Sequence, residues 1–254
     1  MVDKSQIALQ AYILRLADNA LIIGQRLSEW CGHAPALEED IATANTALDL
    51  IGQARNWFDY ASQLDDKGRS EDQLAFLRDE NEYTNVLLVE QPNGTYGNTL
   101  MRQFIFDVWH YHLLEQLMAS KDETIAAIAQ KSIKEVTYHV SRSSDLILRL
   151  GDGTKESHDI IQNALDNLWR FSGELTTSDE LDSEMNGLGL GANLSVVEGK
   201  FRETVEAVFK DAMLVPPKVG YMQQGGKSGV HSESMGRLLA EMQVLQRTHP
   251  NAVW

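Results

Sequence analysis

Long runs of this chain carry apolar residues at the three- and four-residue spacing of a helix, and the alternation of a strand is almost absent. That periodicity confines the chain to an all-α fold. The first helix is predicted from about Ile7 to Trp30, with Ala11, Leu14, Asp18, Leu21 and Gln25 on one stripe. Cys31 to Pro35 turns the chain. The second runs from Glu38 to about Leu64, its first-turn acids complementing the helix dipole and its apolar stripe passing through Ile41, Ala44, Leu48, Ile51 and Phe58. After a polar loop, Asp65 to Asp72, short helical pieces are expected between Phe76 and Pro92. Two more long helices follow, about Thr99 to Ser120 and Asp122 to Leu150, and then one from Lys155 to Leu175. Thr176 to Ala192, acidic and then glycine-rich, reads as a connection without a core of its own. Further helices are predicted at about Leu194 to Met213 and Ser232 to Arg247, the latter after a flexible loop, Gly225 to His231. Two pairs of long helices of similar length suit a four-helix bundle at about 5–150, with added helices at about 155–254, within one domain.

Four-helix bundles that hold two bridged metal ions take one Glu from each of two helices and a Glu-x-x-His from each of the other two. Here the corresponding positions are altered. Leu50-x-x-Gln53 and Val136-x-x-His139 stand where Glu-x-x-His would be, and Asp18 and Asp107 precede them by about one helix and a turn. With aliphatic residues at both bridging positions, the set Asp18, Leu50, Gln53, Asp107, Val136 and His139 is a degenerate site. Two carboxylates and one imidazole are too few hard ligands for two irons. The set reads as a hydrogen-bonded polar cluster, such as an Asp18–Gln53 or Asp107–His139 contact, and no metal, catalytic or cofactor-binding residue is assigned.

Other motifs carry less. Asp107-Val-Trp-His110 and Glu135-Val-Thr-Tyr-His139 place two ligand-type residues on one helix face, but neither has a second partner in an obvious position. Gly187-x-Gly189-x-Gly191 and Gly225 to His231 lack the strand that a phosphate-binding loop needs. His231 reads as a capping or interface residue. The tryptophans read as core, except Trp254, a docking anchor at the chain end.

A formal net charge of −15 argues against nucleic acid and against an anionic membrane surface. The single Cys31, read as a partly buried inert thiol, excludes an intrachain disulfide. No leader is visible and apolar runs such as Ala20 to Ile23 are too short to span a bilayer, so a soluble cytoplasmic protein is expected.

Several strings resemble one family: Leu27-Ser-Glu-Trp-Cys-Gly-His33, Asp49-Leu-Ile-Gly-Gln-Ala-Arg55, Leu87-Leu-Val-Glu-Gln-Pro-Asn-Gly94, Arg149-Leu-Gly-Asp-Gly-Thr154, Leu168-Trp-Arg-Phe171 and Leu239-Ala-Glu-Met-Gln243. The family is the C subunit of bacterial ring-1,2-phenylacetyl-CoA epoxidase, a multicomponent monooxygenase. The resemblance implies a ferritin-like fold and a metal-free, structural role beside a di-iron catalytic A subunit. It also implies a B subunit that bridges assemblies, and an E reductase that carries flavin and an iron–sulfur cluster and draws electrons from NADPH. Any contribution to binding the CoA ester would fall to local Lys or Arg, and the isolated chain is open to forming a homodimer. Two other classes stay open: a metal-dependent oxygenase in its own right with an unusual ligand set, and a metal-free bundle that binds some other protein.

Overall fold

The four long helices expected in the first 151 residues form, with their ends shifted by a few residues. The computed structural model describes residues 4–249, and among them there is no strand. In chain order come α1 (Lys4–Ser28), α2 (Leu37–Gln63) and α3 (Glu71–Phe76). Next are α4 (Tyr96–Leu117), α5 (Glu123–Gly151), α6 (Lys155–Leu168), α7 (Gly173–Thr176), α8 (Glu180–Leu188) and α9 (Leu194–Asp211). The last two are α10 (Glu233–Met242) and α11 (Val244–Thr248). The chain divides into two compact units. One runs to Pro92 and resumes at Gly225; the other is Asn93–Gln224. The all-α architecture is consistent with the ferritin-like fold, and each unit is built on one pair of long helices.

In the first unit α1 and α2 run antiparallel. Gln6 and Gln10 donate from α1 to the carbonyls of Leu64 and Ala61 at one end, each at 3.2 Å. Toward the other end Gly24 lies against Ala47, Leu50 and Ile51, where a side chain would crowd the pair. The central stretch of α1 is long and apolar enough to cross a bilayer, contrary to what its short apolar runs imply. Yet 67% of that stretch is buried in the fold, and Arg15, Asp18 and Arg26 lie on its buried surface, as in a core helix.

The face of α2 that packs inward differs from the expected stripe. Thr43, Thr46, Ala47, Leu50, Gln53, Ala54, Trp57 and Phe58 are buried, whereas Ile41 and Leu48 are exposed. Small and hydroxyl-bearing residues allow α1 to approach closely, so the bulkiest aliphatics do not mark the core side. Cys31 is also exposed rather than partly buried.

The returning segment is ordered rather than a flexible loop. It forms a 3₁₀ turn at Gly226–Ser228, and Gly226 passes so close to the 85–87 backbone that a Cβ there would meet the Asn85 carbonyl at 2.1 Å. The His231 and Glu90 side chains are both fully buried and 2.8 Å apart. The other ring nitrogen of His231 faces the Tyr83 carbonyl at 3.0 Å. With a carboxylate oxygen at one ring nitrogen and a carbonyl at the other, the geometry favours both nitrogens donating, as in an imidazolium. Glu90 also accepts from the Ser232 backbone at 2.6 Å and from Asn85 at 3.2 Å.

In the second unit α4 is buried on nearly every side, with α5, α6 and α9 packed against it. Thr95, Asp122 and Thr154 cap α4, α5 and α6 as side-chain acceptors. The helix expected from Lys155 to Leu175 breaks at Leu168 into a 3₁₀ turn at Trp169–Phe171 and then α7. The segment read as a coreless connection contains α8. Asp179 supplies its capping box, and Gly189 at φ 76° ends it in the left-handed conformation. Met185 is fully buried, so the glycine-rich string is in part a helix stop. The last expected helix is two short ones, α10 and α11. Trp254 lies outside the described residues.

The His231–Glu90 pair generates a pH prediction. Burial lowers the His231 pKa, but the hydrogen bond and charge of Glu90 outweigh it, with help from the Tyr83 carbonyl and Glu80, and the net shift is upward. A raised imidazole pKa contributes stability that is whole below the unfolded value of about 6.5 and is lost as pH climbs through the folded value. Replacing His231 by Phe leaves the Glu90 carboxylate buried and unpaired, which costs about 3–5 kcal/mol. Urea unfolding should show that loss near neutral pH and a smaller one in alkali. Equal losses at both would remove the imidazolium from the account.

Candidate functional site

The six positions read from the sequence as a degenerate site are all interior. Asp18, Leu50 and Val136 are fully buried, and Gln53, Asp107 and His139 are 1–2% exposed. The structure places Asp18, Leu50 and Gln53 in the first unit and Asp107, Val136 and His139 in the second.

Asp18 projects from the buried face of α1 onto Arg78, a residue that sequence reasoning does not single out. The guanidinium meets the carboxylate with both terminal nitrogens. Nη1 lies 3.1 Å from Oδ2, and Nη2 contacts Oδ1. The Thr84 backbone N–H donates to the same carboxylate at 2.9 Å. Arg78 is itself fixed from every side. Its Nε donates to the Leu74 carbonyl at 2.5 Å and its Nη1 to that of Glu82 at 2.8 Å. Its plane lies 4.2 Å from the Tyr83 ring centroid, at cation–π distance. Burial lowers the Arg78 pKa, but the charge and hydrogen bond of Asp18 raise it further, so the net shift is upward. Burial pushes the Tyr83 phenol up to about 12, and its hydroxyl donates to the Ala75 carbonyl at 2.6 Å. Arg78 is thus a protein-supplied cation beside Asp18. Its signal in the sequence is only an arginine in the piece between α3 and Pro92, with nothing local to tie it to Asp18.

The second cluster is organised differently. Gln103, one turn before Asp107 on α4, donates to its Oδ1 at 2.6 Å. From α5, His139 faces Asp107 electrostatically, with Ser143 and Arg142 close by. Burial dominates and pushes Asp107 up to about 6, against the opposing pull of His139 and the two hydrogen bonds. The hydrogen-bond partner of Asp107 is thus Gln103, which the helical spacing alone does not identify, while His139 acts on it through its charge.

His110, from the Asp-x-x-His motif, lies among rings, 5.0 Å from Phe106 and 6.1 Å from Trp109 between centroids. Burial, with the neighbouring His139 adding to it, lowers its pKa to about 3, so it stays neutral. Glu135 is only partly buried where His139 is fully inside, so this i,i+4 pair does not present a common interior face. Among the described residues no three His, Cys, Asp or Glu side chains gather as a metal-binding group. The glycines at 187, 189 and 191 serve the end of α8, where Gly189 accepts from the Lys121 backbone at 2.9 Å.

A carboxyl raised from 3.8 to about 6 by complete burial corresponds to about 3 kcal/mol. The sign follows from proton uptake: near pH 3 the carboxyl is protonated in both states and there is no penalty. As pH rises from about 4 to about 6 the unfolded chain ionises first, so this group destabilises the fold increasingly, and the whole penalty stands above about pH 7. Asp107→Asn should therefore gain stability relative to the parent between about pH 4 and pH 8, by up to about 3 kcal/mol. Urea midpoints at the two pH values measure it. A stability difference that does not change with pH would place the titration elsewhere.

A family model described as phenylacetic acid catabolic protein matches residues 1–254. The C subunit of the 1,2-phenylacetyl-CoA epoxidase of Escherichia coli (strain K12) is 47% identical over 246 residues, covering 97% of this chain and 99% of that protein. Agreement over the whole length, rather than over one motif, matches the resemblance carried by the strings of the sequence. The chain belongs to the phenylacetic acid catabolic protein family.

Proposed function

We propose that this chain is the metal-free, non-catalytic subunit of a multicomponent phenylacetyl-CoA 1,2-epoxidase in aerobic phenylacetate degradation. In that role it packs against and stabilises the catalytic A subunit in the cytoplasm. The observation that carries the reading is the Asp18–Arg78 pair. A carboxylate engaged by a guanidinium and a backbone N–H has its charge compensated already, and a metal ion would have to displace a buried, multiply bonded arginine. Leu50 and Val136 offer no donor at the bridging positions. The donor set therefore does not suit a di-iron centre, and no step of oxygen chemistry is assigned to this chain. In the proposed complex the two irons belong to the A subunit, and NADPH oxidation with flavin and an iron–sulfur cluster to the E reductase.

A docking surface suited to this role lies on α2. Leu37, Ile41 and Leu48 are 71%, 54% and 66% exposed and recur at helical spacing with Ala44 on the face opposite Leu50 and Gln53. Aliphatic side chains in such a row are what a neighbouring helix covers in an obligate interface.

Two measurements test the reading. After anaerobic loading with Fe(II), the isolated chain should retain far less than one iron, and iron should appear when it is co-purified with the catalytic subunit. About two irons per isolated chain would overturn the proposal, since two is the complement of a di-iron bundle. Separately, Ile41→Asp with Leu48→Asp should reduce co-purification of the catalytic subunit about tenfold or more. The urea midpoint should hold, because both side chains are already in water. Unchanged co-purification would place the contact on another face.

A further inference from the structure

The second unit contains a feature that the proposed role does not use. Between the Trp169–Thr176 segment, one face of α9 and the chain at 215–222 lies a half-open cleft of about 470 Å³. Its walls are Trp169, Phe201, Val205, Phe209, Pro216 and Met222. Trp169 and Phe209 meet edge to face, with centroids 5.8 Å apart, which fixes the orientation of both rings. Phe201, Val205 and Phe209 are spaced four residues apart on α9 and are 6%, 1% and 1% exposed, so the walls belong to the packed core of the unit.

A void lined by such residues ordinarily shrinks as loops settle into it. Here the covering segment is pinned at both ends. The Gln162 side chain accepts from the Val215 N–H at 2.9 Å and donates to the Val215 carbonyl at 2.8 Å. At the far end the Gln223 N–H donates to the Arg170 carbonyl at 2.8 Å. Pro216 and Pro217 stiffen the stretch between them. Met222 rests on Gly173, where even a Cβ would come within 2.8 Å of it. The segment is thus a strap that spans the cleft without filling it.

We propose that this cleft binds a small aromatic molecule of one or two fused rings, uncharged or cationic. Size sets the upper bound: the volume is about three times the roughly 150 Å³ void that takes up benzene, and it lies within the range of ligand pockets. The flat, ring-lined walls favour a planar apolar guest, because offset and edge-to-face arrangements are available from more than one side. The mouth sets the charge. Glu198, Arg202 and Glu206 stand there, and Arg202 is paired with Glu198 at 2.7 Å. Two acids against one base leave a net negative rim that repels an anion and attracts a donor or a cation.

Calorimetric titration of the full chain with indole, tryptamine and indole-3-acetate tests the assignment. Indole and tryptamine should bind, with indole-3-acetate weaker than tryptamine by about tenfold or more. Val205→Trp fills the cleft from within and should weaken both binders about tenfold or more. Because Val205 is buried, Glu206→Lys provides an independent variant on the exposed rim, and it should reverse the order of tryptamine and indole-3-acetate. No binding of any probe to the parent chain, equal binding of all three, or an order unchanged by Glu206→Lys would each overturn the proposal.

Discussion

A carboxylate on the inner face of a helix needs a positive partner or a proton, and the Asp18–Arg78 pair meets that need in the first unit. Asp18 is fully buried, and an isolated ion in such surroundings is strongly unfavourable. Arg78 supplies two donors to it and at the same time ties down the Leu74 and Glu82 carbonyls. One guanidinium thereby fixes α1 to the irregular chain between α3 and Pro92. The aromatic face of Tyr83 and the carbonyl bonded by its hydroxyl complete the surround. Removing either charge would leave the other buried without compensation, so the two residues form one structural unit.

The second unit meets the same electrostatic problem with different chemistry. Asp107 has an amide donor from its own helix, and burial pushes its pKa up to about 6 against the electrostatic pull of His139. Protonation can relieve that site where an ion pair relieves the first. His110, kept neutral by burial and the neighbouring His139, adds no charge to the balance. The returning segment is fastened by a third device, the His231–Glu90 pair, whose hydrogen-bond geometry favours a charged ring. Asp18, Asp107 and Glu90 thus have three kinds of compensation, and each organises a different stretch of chain.

On the proposed reading these arrangements serve a subunit whose work is done by its surface. The core positions that would carry metal chemistry are occupied by an ion pair, aliphatic side chains and a titratable cluster. The exposed face of α2 and the strapped cleft beside α9 are places where apolar groups remain accessible. The first is a raised stripe suited to another helix. The second is a concave site with an acidic rim, suited to a small planar guest. The difference in shape is what separates a docking role from a binding role.

Much of this is written in local patterns. The long helices and the inward placement of Asp18 and Asp107 follow from spacing, because a helix face repeats every three to four residues whatever it packs against. The family strings are equally legible, since they need no geometry. The buried side of α2 is not, because close approach to α1 selects small residues and leaves Ile41 and Leu48 outside. The helix at Glu180–Leu188 is hidden by its composition, although its capping box and terminal glycine are present. The linear chain therefore suffices for the all-α class and the family. Packing in three dimensions is needed to learn that Arg78 neutralises Asp18, that Gln103 reaches Asp107 and that His231 is charged against Glu90. These pairings turn on which side chains from distant stretches, or adjacent rotamers on one helix, come within about 3 Å, and no periodicity of a linear chain encodes that.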